Sequence, residues 1–324
     1  MTYATSSWSR LIPQLLFATA CWGTIGCAAP IHCSSGEAIA FSEISTTNFQ
    51  DPLRLVCPDG TQYRVLLRPA GSQGFFFVNG LALSRPLLIS VLESVRLQAQ
   101  PETHLYFFEL DRALLRPVPS LIGQQAHAAL SPDASLIAYE STGDPSAPLR
   151  LVITDTQTAQ NFLIPTAPNA TDNLPTWSPD GKELMFIRLG YATGGNIPLT
   201  ATLMTTSFPL GPPSPVFGPT DIVTSSAYSA DGHRFAIWSP YGLEIVDRQT
   251  LNRTIILQTS SLAPRIPGTA GLIWGGSSGT LAFTLYNNQT SASELWTIRE
   301  DGADARQVFS VTDGMLYVGS YVRQ

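Results

Sequence analysis

One short segment, residues 174–186, contains a complete β-hairpin and limits what the rest of the chain can fold into. It reads Leu-Pro-Thr-Trp-Ser-Pro-Asp-Gly-Lys-Glu-Leu-Met-Phe. Pro179 fixes φ at the second position of the turn and Gly181 stands at the fourth, which is the chemistry of a type I turn. Because apolar residues flank the turn on both sides, the segment predicts two antiparallel strands.

The same hairpin returns along the chain at a regular interval. Copies have their turns after Leu130 and Tyr228, and a glycine-rich version follows Trp274. Together with Trp177, these anchor positions are 47, 51 and 46 residues apart. This period favours propeller blades over helical solenoids.

A second strand–turn–strand unit follows each hairpin. After the hairpin at Leu130, residues 151–153 and 162–164 read as strands on either side of a turn that begins at Asp155. Equivalent units begin at Leu243 and Leu295. Four strands per repeat is the content of one propeller blade.

The two ends of the repeat region complement each other. Residues 38–41 match the second strand of a blade that has no first strand, whereas residues 315–321 form a strand with no hairpin after it. A degenerate repeat lies between them, with strands expected at 75–78, 86–91, 105–110 and 114–118. Residues 38–324 number 287, which is room for six blades of about 48 residues each. We therefore predict an all-β fold: a six-bladed β-propeller of four-stranded antiparallel blades, closed by pairing of the C-terminal strand with the first blade.

The pattern Trp-Ser-Pro-Asp-Gly-x-x-Leu-x-Phe at residues 177–186 resembles the WD-like blade repeat of TolB-type six-bladed propellers. The resemblance covers residues 38–324, with further copies at 130–139 and 228–238. It implies a bacterial, exported, non-catalytic scaffold that engages a partner. TolB itself also has an N-terminal α/β domain, so the resemblance implies a propeller-only relative.

The N-terminal residues have the order of a secretory signal. Arg10 is the only charge among residues 1–30, and residues 11–29 are mostly apolar and end in small residues. An uncleaved anchor helix is the alternative, although Pro13 leaves the apolar run short for a bilayer span of about 20 residues. We expect an exported protein.

Two cysteines follow small residues in a pattern that resembles the lipobox of bacterial lipoproteins. Cys27 is the better candidate for lipidation because small residues flank it, and Cys21 is the alternative. Ordinary signal-peptidase cleavage after Ala20 fits as well. The expected organisation is a signal at 1–27, a stem at 28–37 and the propeller at 38–324, in a membrane-anchored lipoprotein or a periplasmic or extracellular protein.

The remaining two cysteines, Cys33 and Cys57, lie on either side of the first predicted strand. In an oxidising compartment they could pair and tie the stem to the first blade, or they could remain two unpaired thiols. None of the four cysteines has metal-ligand spacing with a histidine, so we expect no metal and no cofactor.

Charge excludes several classes of partner. Only 13% of the residues are charged, Lys182 is the only lysine and the formal net charge is −6. No basic stripe is available for nucleic acid or for an anionic membrane surface. We expect no nucleic-acid binding, and membrane association only through an N-terminal lipid or anchor.

The repeated polar and aromatic residues have structural interpretations. Asp133, Asp180 and Asp231 recur in register, but an aspartate in a tight turn usually bonds its own backbone and not a shared site. Trp177, as the repeat's anchor, is expected to fill the wedge between blades and not to stack a sugar. His127 and the other three histidines accompany no nucleophile motif.

The connections between the second and third strands carry the functional prediction. They should emerge on one face of the ring, and they are rich in Gly, Asn, Ser, Thr and Tyr. The candidate binding residues are Ser141, Asp144, Tyr191, Asn196, Tyr286, Asn287 and Asn288. We predict a monomeric binding scaffold for an envelope protein or glycan; the alternative is a propeller hydrolase or lyase acting on a sugar, lactone or peptide in the central channel.

Overall fold

The computed structural model describes residues 31–45, 52–68, 74–78, 87–93, 102–109, 114–119, 121–142, 149–195, 197–209, 211–218, 221–276 and 279–323. By its internal contacts the chain divides into Met1–Pro30 and Ile31–Gln324, and everything below concerns the second unit. The described residues contain no helix that is both long and apolar enough to span a membrane. The predicted signal segment and the lipidation candidates Cys21 and Cys27 lie outside the described residues.

The described secondary structure is almost entirely β. The strands are β1 (Glu37–Ser45), β2 (Leu53–Val56), β3 (Tyr63–Leu67), β4 (Gly74–Val78), β5 (Leu87–Glu93), β6 (Glu102–Glu109), β7 (Leu114–Pro117), β8 (Gln124–Leu130), β9 (Leu136–Thr142), β10 (Arg150–Asp155), β11 (Asn161–Leu163), β12 (Ala170–Trp177), β13 (Glu183–Tyr191), β14 (Pro198–Ser207), β15 (Ser214–Pro215), β16 (Ser225–Tyr228), β17 (Arg234–Ser239), β18 (Gly242–Asp247), β19 (Arg253–Gln258), β20 (Arg265–Trp274), β21 (Thr280–Asn287), β22 (Ala292–Arg299), β23 (Arg306–Val311) and β24 (Gly314–Arg323). One 3₁₀ turn within the described residues, Thr259–Ser261, lies between β19 and β20.

These strands form six four-stranded antiparallel sheets within the described residues. Five sheets are built from consecutive strands, β4–β7, β8–β11, β12–β15, β16–β19 and β20–β23, and the sixth has the order β24-β1-β2-β3. Neighbouring sheets touch largely through their first strands, β8 with β12, β12 with β16, β16 with β20, β20 with β24, and β24 with β4. The first strands therefore lie innermost, which is the arrangement of an all-β propeller with four-stranded antiparallel blades.

The C-terminal strand completes the sheet that begins the chain. Strand β24 pairs antiparallel with β1, from Ala38 opposite Val322 to Ile44 opposite Met315. One extra residue, Gly319, bulges from β24 where the register shifts. The predicted pairing of the C-terminal strand with residues 38–44 is confirmed, and it leaves neither strand as an open inner edge.

Alternating strand direction gives the ring two unlike ends. The tight connections from first to second and from third to fourth strands lie at one end, which we call the turn face. The connections from second to third strands, and from the fourth strand to the next sheet, lie at the other end, which we call the loop face. The three inserts singled out in the sequence, between β9 and β10, β13 and β14, and β21 and β22, all belong to the loop face, as predicted.

The repeat's anchor residues fill the wedges between sheets. Trp177, Tyr228 and Trp274 are buried, and the Trp177 indole N–H donates to the Ala129 carbonyl of the preceding sheet at 3.2 Å. Trp177 belongs to a cluster of buried apolar residues drawn from two neighbouring sheets. Their predicted structural role is supported by these contacts.

Cys33 and Cys57 are joined by a disulfide with a Cα–Cα distance of 5.3 Å. Both sulfur-bearing residues are buried in one apolar cluster with Ile31 and Leu55. The bond connects the segment before β1 with the turn between β2 and β3, so it fixes the start of the described chain to the first sheet.

Closure by β24 predicts a large difference between two identical substitutions. Leu316, in β24, is 1% exposed, whereas Leu163, on the outermost strand β11, is 55% exposed. Leu316→Ala should lower the free energy of unfolding by about 2–5 kcal/mol because it leaves a cavity in the closure sheet. Leu163→Ala should change it by less than about 0.5 kcal/mol. Chemical denaturation of both variants measures this, and equal small effects would show that β24 does not hold the ring closed.

Candidate functional site

The turn face is built on one repeated hydrogen-bond network. The Ser178 hydroxyl donates to Asp180 at 2.6 Å and accepts the Glu183 N–H at 2.9 Å. Asp180 also accepts the Lys182 N–H at 3.1 Å. The same bonds recur in the turns that begin at Ser131 and Ser229, with Asp133 and Asp231 as the carboxylates.

These bonds settle what the repeated aspartates do. The hydrogen bond from Ser178 holds the pKa of Asp180 below its ordinary value, and the equivalent serines do the same for Asp133 and Asp231. Each carboxylate is satisfied within its own turn. The interpretation of these aspartates as turn residues, and not as members of one shared site, is therefore supported.

An ion pair joins two sheets at the turn face. Glu183 of β13 accepts the Tyr228 hydroxyl at 2.6 Å and the Arg248 guanidinium at 2.8 Å, both from the next sheet. Burial disfavours the Glu183 carboxylate, but these two donors outweigh it and lower its pKa. Burial, together with the hydrogen bond to Glu183, raises the pKa of Tyr228. This contact links adjacent sheets. Both oxygens of the Glu183 carboxylate accept hydrogen bonds within it, so the group has a structural role.

Beneath the loop face, four carboxylates are almost fully buried, and each is paired with a cationic side chain or a histidine. The pairs are Asp172 with Arg188 at 2.6 Å, Glu244 with Arg253 at 2.8 Å, Glu294 with Arg265 at 2.5 Å, and Glu140 with His127 at 2.9 Å. Separating the two partners of such a pair would leave a buried charge without a counter-charge, which costs free energy. The pairs therefore hold the strands that carry them in place. They give the loop face a rigid base in four successive sheets.

Glu294 shows how such a pair holds a loop. It accepts hydrogen bonds from Arg265, from the Trp296 indole at 2.7 Å and from the Asn287 side-chain amide at 3.0 Å. Burial opposes the charge of Glu294, but these donors lower its pKa. The Asn287 side-chain oxygen in turn accepts the Gln289 N–H at 3.0 Å. The β21–β22 connection is thus tied to a buried carboxylate.

Glu140 lies where two innermost strands are irregular. Strand β8 bulges at His127 (φ +31°) and β12 bulges at Leu174 (φ +52°). Glu140 contacts His127 through one oxygen and accepts the Leu174 N–H at 3.0 Å through the other. The His127 imidazole is only partly exposed, and its loss of hydration disfavours the protonated form. The neighbouring Glu140 carboxylate outweighs this effect and raises the pKa of His127.

The structure gives the candidate binding residues different positions. Ser141 and Asn287 are buried, and the Ser141 hydroxyl donates to the Ile122 carbonyl at 2.7 Å, so both serve the base of their loops. The Tyr191 hydroxyl lies 3.3 Å from the Thr171 hydroxyl. Tyr286 is partly exposed and Asn288 is exposed, and Asp144 and Asn196 lie outside the described residues.

Exposed apolar side chains concentrate on the loop face, which the polar composition of the inserts did not reveal. Of the twelve large apolar residues that are exposed in the described structure, seven lie there: Ile122, Ile197, Leu199, Ile222, Tyr241, Ile266 and Met315. Three lie at the turn face: Leu251, and Tyr63 and Leu114, which begin outermost strands directly after turn-face connections. The other two, Leu163 and Ile255, lie on outermost strands. The candidate functional site is therefore this ring of seven side chains.

Most of these residues escape a sequence search because they do not share one motif. Ile197 and Leu199 border the β13–β14 insert, but Ile222 and Tyr241 lie in other connections and Met315 begins β24. Only the up-and-down path of the strands brings them to one end. One feature of the sequence could have indicated this surface: the apolar residues Ile197 and Leu199 stand beside an uncharged loop.

The described part of the chain contains no cluster of three or more His, Cys, Asp or Glu side chains that could hold a metal ion. The paired carboxylates beneath the loop face already have guanidinium or imidazole partners. What the arrangement offers is a set of exposed apolar side chains above buried, paired carboxylates.

No protein-family model matches the sequence, and no curated protein matches it. Solved structures match the fold. TolB from Acinetobacter baumannii superimposes with a TM-score of 0.65 at 15% identity over 88% of this chain, which spans 66% of that chain. A TolB-type protein from Agrobacterium tumefaciens gives 0.59 at 14% identity over 87% of this chain and 97% of its own.

An enzyme has the same fold. Oligogalacturonate lyase in complex with manganese gives a TM-score of 0.51 at 12% identity, over 85% of this chain and 73% of that chain. At such identities the likeness establishes a propeller similar to TolB and leaves function open between binding and catalysis.

The bonding of Asn287 predicts that two adjacent asparagines differ in role. Asn287→Ala removes bonds to Glu294 and Gln289 and should lower the free energy of unfolding by about 1–3 kcal/mol, since it leaves a buried charge less satisfied. Asn288→Ala is the control, because its exposed side chain should contribute less than about 0.5 kcal/mol. Urea denaturation of both variants checks this. Equal stability would mean that Asn287 does not anchor the loop.

Proposed function

We propose that the protein is an exported, non-catalytic binding scaffold, a six-bladed TolB-like propeller that engages a protein partner through its loop face. The observation that carries the proposal is the unequal distribution of exposed apolar side chains, seven on the loop face and three at the turn face within the described structure. Exposed apolar side chains gathered at one end of a protein favour an interaction site there.

Several of these side chains are exposed over most of their surface. Ile197 is 78% exposed, and Leu199 and Tyr241 are each 68% exposed. The ring of seven side chains draws on the loop-face ends of five of the sheets. A partner that covers the ring could bury several of these side chains together, at about 1.5–3 kcal/mol for each one fully buried.

The rigid base beneath the surface favours binding as well. Asp172, Glu244 and Glu294 are held by guanidinium groups directly below the loops. Loops that are ordered before binding lose less conformational entropy when the partner arrives. The buried ion pairs therefore hold the strand ends from which these connections emerge.

The chemistry of the surface favours a protein over a glycan. Five of the seven exposed side chains are Ile or Leu, Met315 is another aliphatic chain, and only Tyr241 is aromatic. Sugar recognition relies on aromatic faces and many hydrogen bonds, whereas aliphatic side chains pack best against other apolar side chains. The proposed partner is therefore an envelope protein, with a glycan as the lesser possibility.

One observation favours the enzyme alternative, a hydrolase or lyase acting in the central channel. His127 is partly exposed on an innermost strand and is held by Glu140, and a raised pKa suits a proton donor near neutral pH. If this alternative holds, His127→Ala should abolish turnover of a glycoside, lactone or peptide. The scaffold proposal expects no turnover by the native protein.

Substitutions on the loop face test the proposal against matched outer-strand changes. Ile197→Ser with Leu199→Ser should weaken capture of the native envelope partner at least about 10-fold, because it removes two exposed apolar side chains that the partner would bury. Leu163→Ser with Ile255→Ser, on outermost strands, is the control and should leave capture unchanged. Quantitative pull-down from the native envelope measures both. Equal capture by the two double variants would contradict the proposed face.

Export is tested at the mature N-terminus. We expect mass spectrometry to find a diacylglyceryl group on Cys27, because small residues flank that thiol after an apolar segment. A start at Cys21 without lipid would show simple secretion and correct the anchoring. An intact Met1 in a cytosolic fraction would contradict export altogether.

A further inference from the structure

Leu199 and Ile222 come from different connections of the loop face but lie close together. Leu199 is two residues from Ala201 on β14, a distance of at most about 7 Å along the strand. The Ala201 carbonyl accepts the N–H of Val223 at 2.9 Å, and Val223 is the chain neighbour of Ile222. These two exposed apolar side chains therefore emerge from adjacent stretches of backbone.

Tyr241 extends this group across the boundary between two sheets. The Thr224 N–H donates to the Trp238 carbonyl at 3.0 Å, so the segment that carries Ile222 runs beside the strand that leads to Tyr241. We call Leu199, Ile222 and Tyr241 the docking row. It lies where the sheet β12–β15 meets the sheet β16–β19, and each of its side chains is exposed.

The backbone on both sides of the boundary is held in place. Val223 is fully buried beneath Ile222. The Tyr241 N–H donates to the Ser239 hydroxyl at 3.1 Å, and the Tyr241 carbonyl accepts the Thr259 N–H at 2.9 Å. The Ser239 hydroxyl in turn donates to the buried carboxylate of Glu244. The docking row therefore stands on backbone that is ordered before any partner arrives.

One carboxylate borders the docking row. Asp221 precedes Ile222 and is the only charged residue in the four segments around the row, which are residues 191–198, 216–224, 239–242 and 259–264. Its Oδ1 oxygen accepts the Arg253 guanidinium at 2.7 Å. Its Oδ2 oxygen has no hydrogen-bond partner among the described residues, and the side chain is partly exposed. Asp221 can therefore accept a further hydrogen bond from outside.

The charges around Asp221 do not cancel. Arg253 also donates to Glu244, at 2.8 Å, so one guanidinium serves two carboxylates and one negative charge is left uncompensated. The neighbouring buried carboxylates differ, because Asp172 and Glu294 each have an arginine of their own. The docking row thus combines apolar side chains with a local excess of negative charge.

We propose that the docking row receives a protein segment in which a lysine or arginine stands beside apolar side chains. This inference rests on the proposed function and adds to it the chemistry of the partner. The apolar side chains of the segment pack on Leu199 and Ile222. Its cation bonds the Oδ2 oxygen of Asp221 or lies over the exposed ring of Tyr241, both of which attract a positive charge.

The charge of the whole chain favours the same partner. The formal net charge is −6, and the only lysine, Lys182, lies in a turn of the opposite face. A basic segment is attracted to such a protein over a distance, whereas an acidic segment or an anionic lipid surface is repelled. Long-range attraction and the local excess at Asp221 therefore select the same chemistry.

Photocross-linking from the docking row identifies the partner segment. Benzoylphenylalanine replaces Tyr241, which keeps an aromatic ring at this exposed position, and the whole protein is irradiated in its native envelope. Tandem mass spectrometry then gives the sequence of the cross-linked peptide. We expect a peptide in which a lysine or arginine adjoins apolar residues. Raising the salt concentration before irradiation should lower the yield, because salt screens the attraction.

Variants of Asp221 show whether its charge takes part. Asp221→Asn should lower the cross-linking yield about 2–5-fold, because the cation of the partner loses its counter-charge. Asp221→Glu keeps the charge and should retain most of the yield, which a purely structural role of the aspartate would not predict. Asp301→Asn is the matched control, since Asp301 is also paired with an arginine but lies in a turn-face connection. Its yield should equal that of the native sequence.

The outcomes separate this inference from the proposed function. A cross-link to lipid, to a glycan or to an acidic segment would contradict the inference, and so would a yield that neither Asp221→Asn nor salt lowers. Benzoylphenylalanine in place of Ile197 provides the comparison. If position 197 links a protein and position 241 does not, the loop face docks a partner but the docking row is wrong. If neither position links a protein, the proposed function fails as well.

Discussion

The structure depends on one pairing, that of the last strand with the first. An antiparallel sheet leaves unpaired hydrogen-bonding groups along its edge strands. Without its partner from the other end of the chain, β1 would be such an edge on the inner side of the ring. Here β24 supplies the innermost strand of the sheet that β1 begins, and it also touches β20 and β4. The apolar wedge residues can be buried on both sides only in that closed arrangement.

The alternating direction of the strands explains why the two faces differ. On the turn face, each Ser–x–Asp turn satisfies its own polar groups, so this end needs no outside partner. On the loop face, carboxylates such as Asp172 and Glu294 are buried below the surface and hold the loop bases, while apolar side chains remain above them. The turn face therefore satisfies its own polar groups, whereas the loop face carries most of the exposed large apolar side chains of the described structure.

Much of the fold was predictable because it is local. The turn at Ser178 is specified by a few adjacent residues, and Trp177 recurs at a regular spacing. The first blade lacked a strand and the C-terminus had a surplus one, which predicted that the two would pair, as they do. The disulfide between Cys33 and Cys57 was one of two open alternatives, since chain separation alone does not bring two thiols together. The N-terminal expectations stay predictions.

The site was less predictable because it is not local. Glu140 pairs with His127 and also binds the backbone of Leu174 in the next sheet, and no sequence period records such contacts. Polar loop composition pointed to Asn287, which the fold uses internally. The apolar ring that replaces it as the candidate surface is assembled only when six separate connections reach one end.

The central claim, that the loop face is the docking surface, is tested most directly by hydrogen–deuterium exchange with and without the captured partner. The account predicts slower exchange on binding in residues 191–200 and 239–242, with residues 155–160 and 247–252 on the turn face unchanged. Protection confined to the turn face, or to the innermost strands around His127, would contradict it.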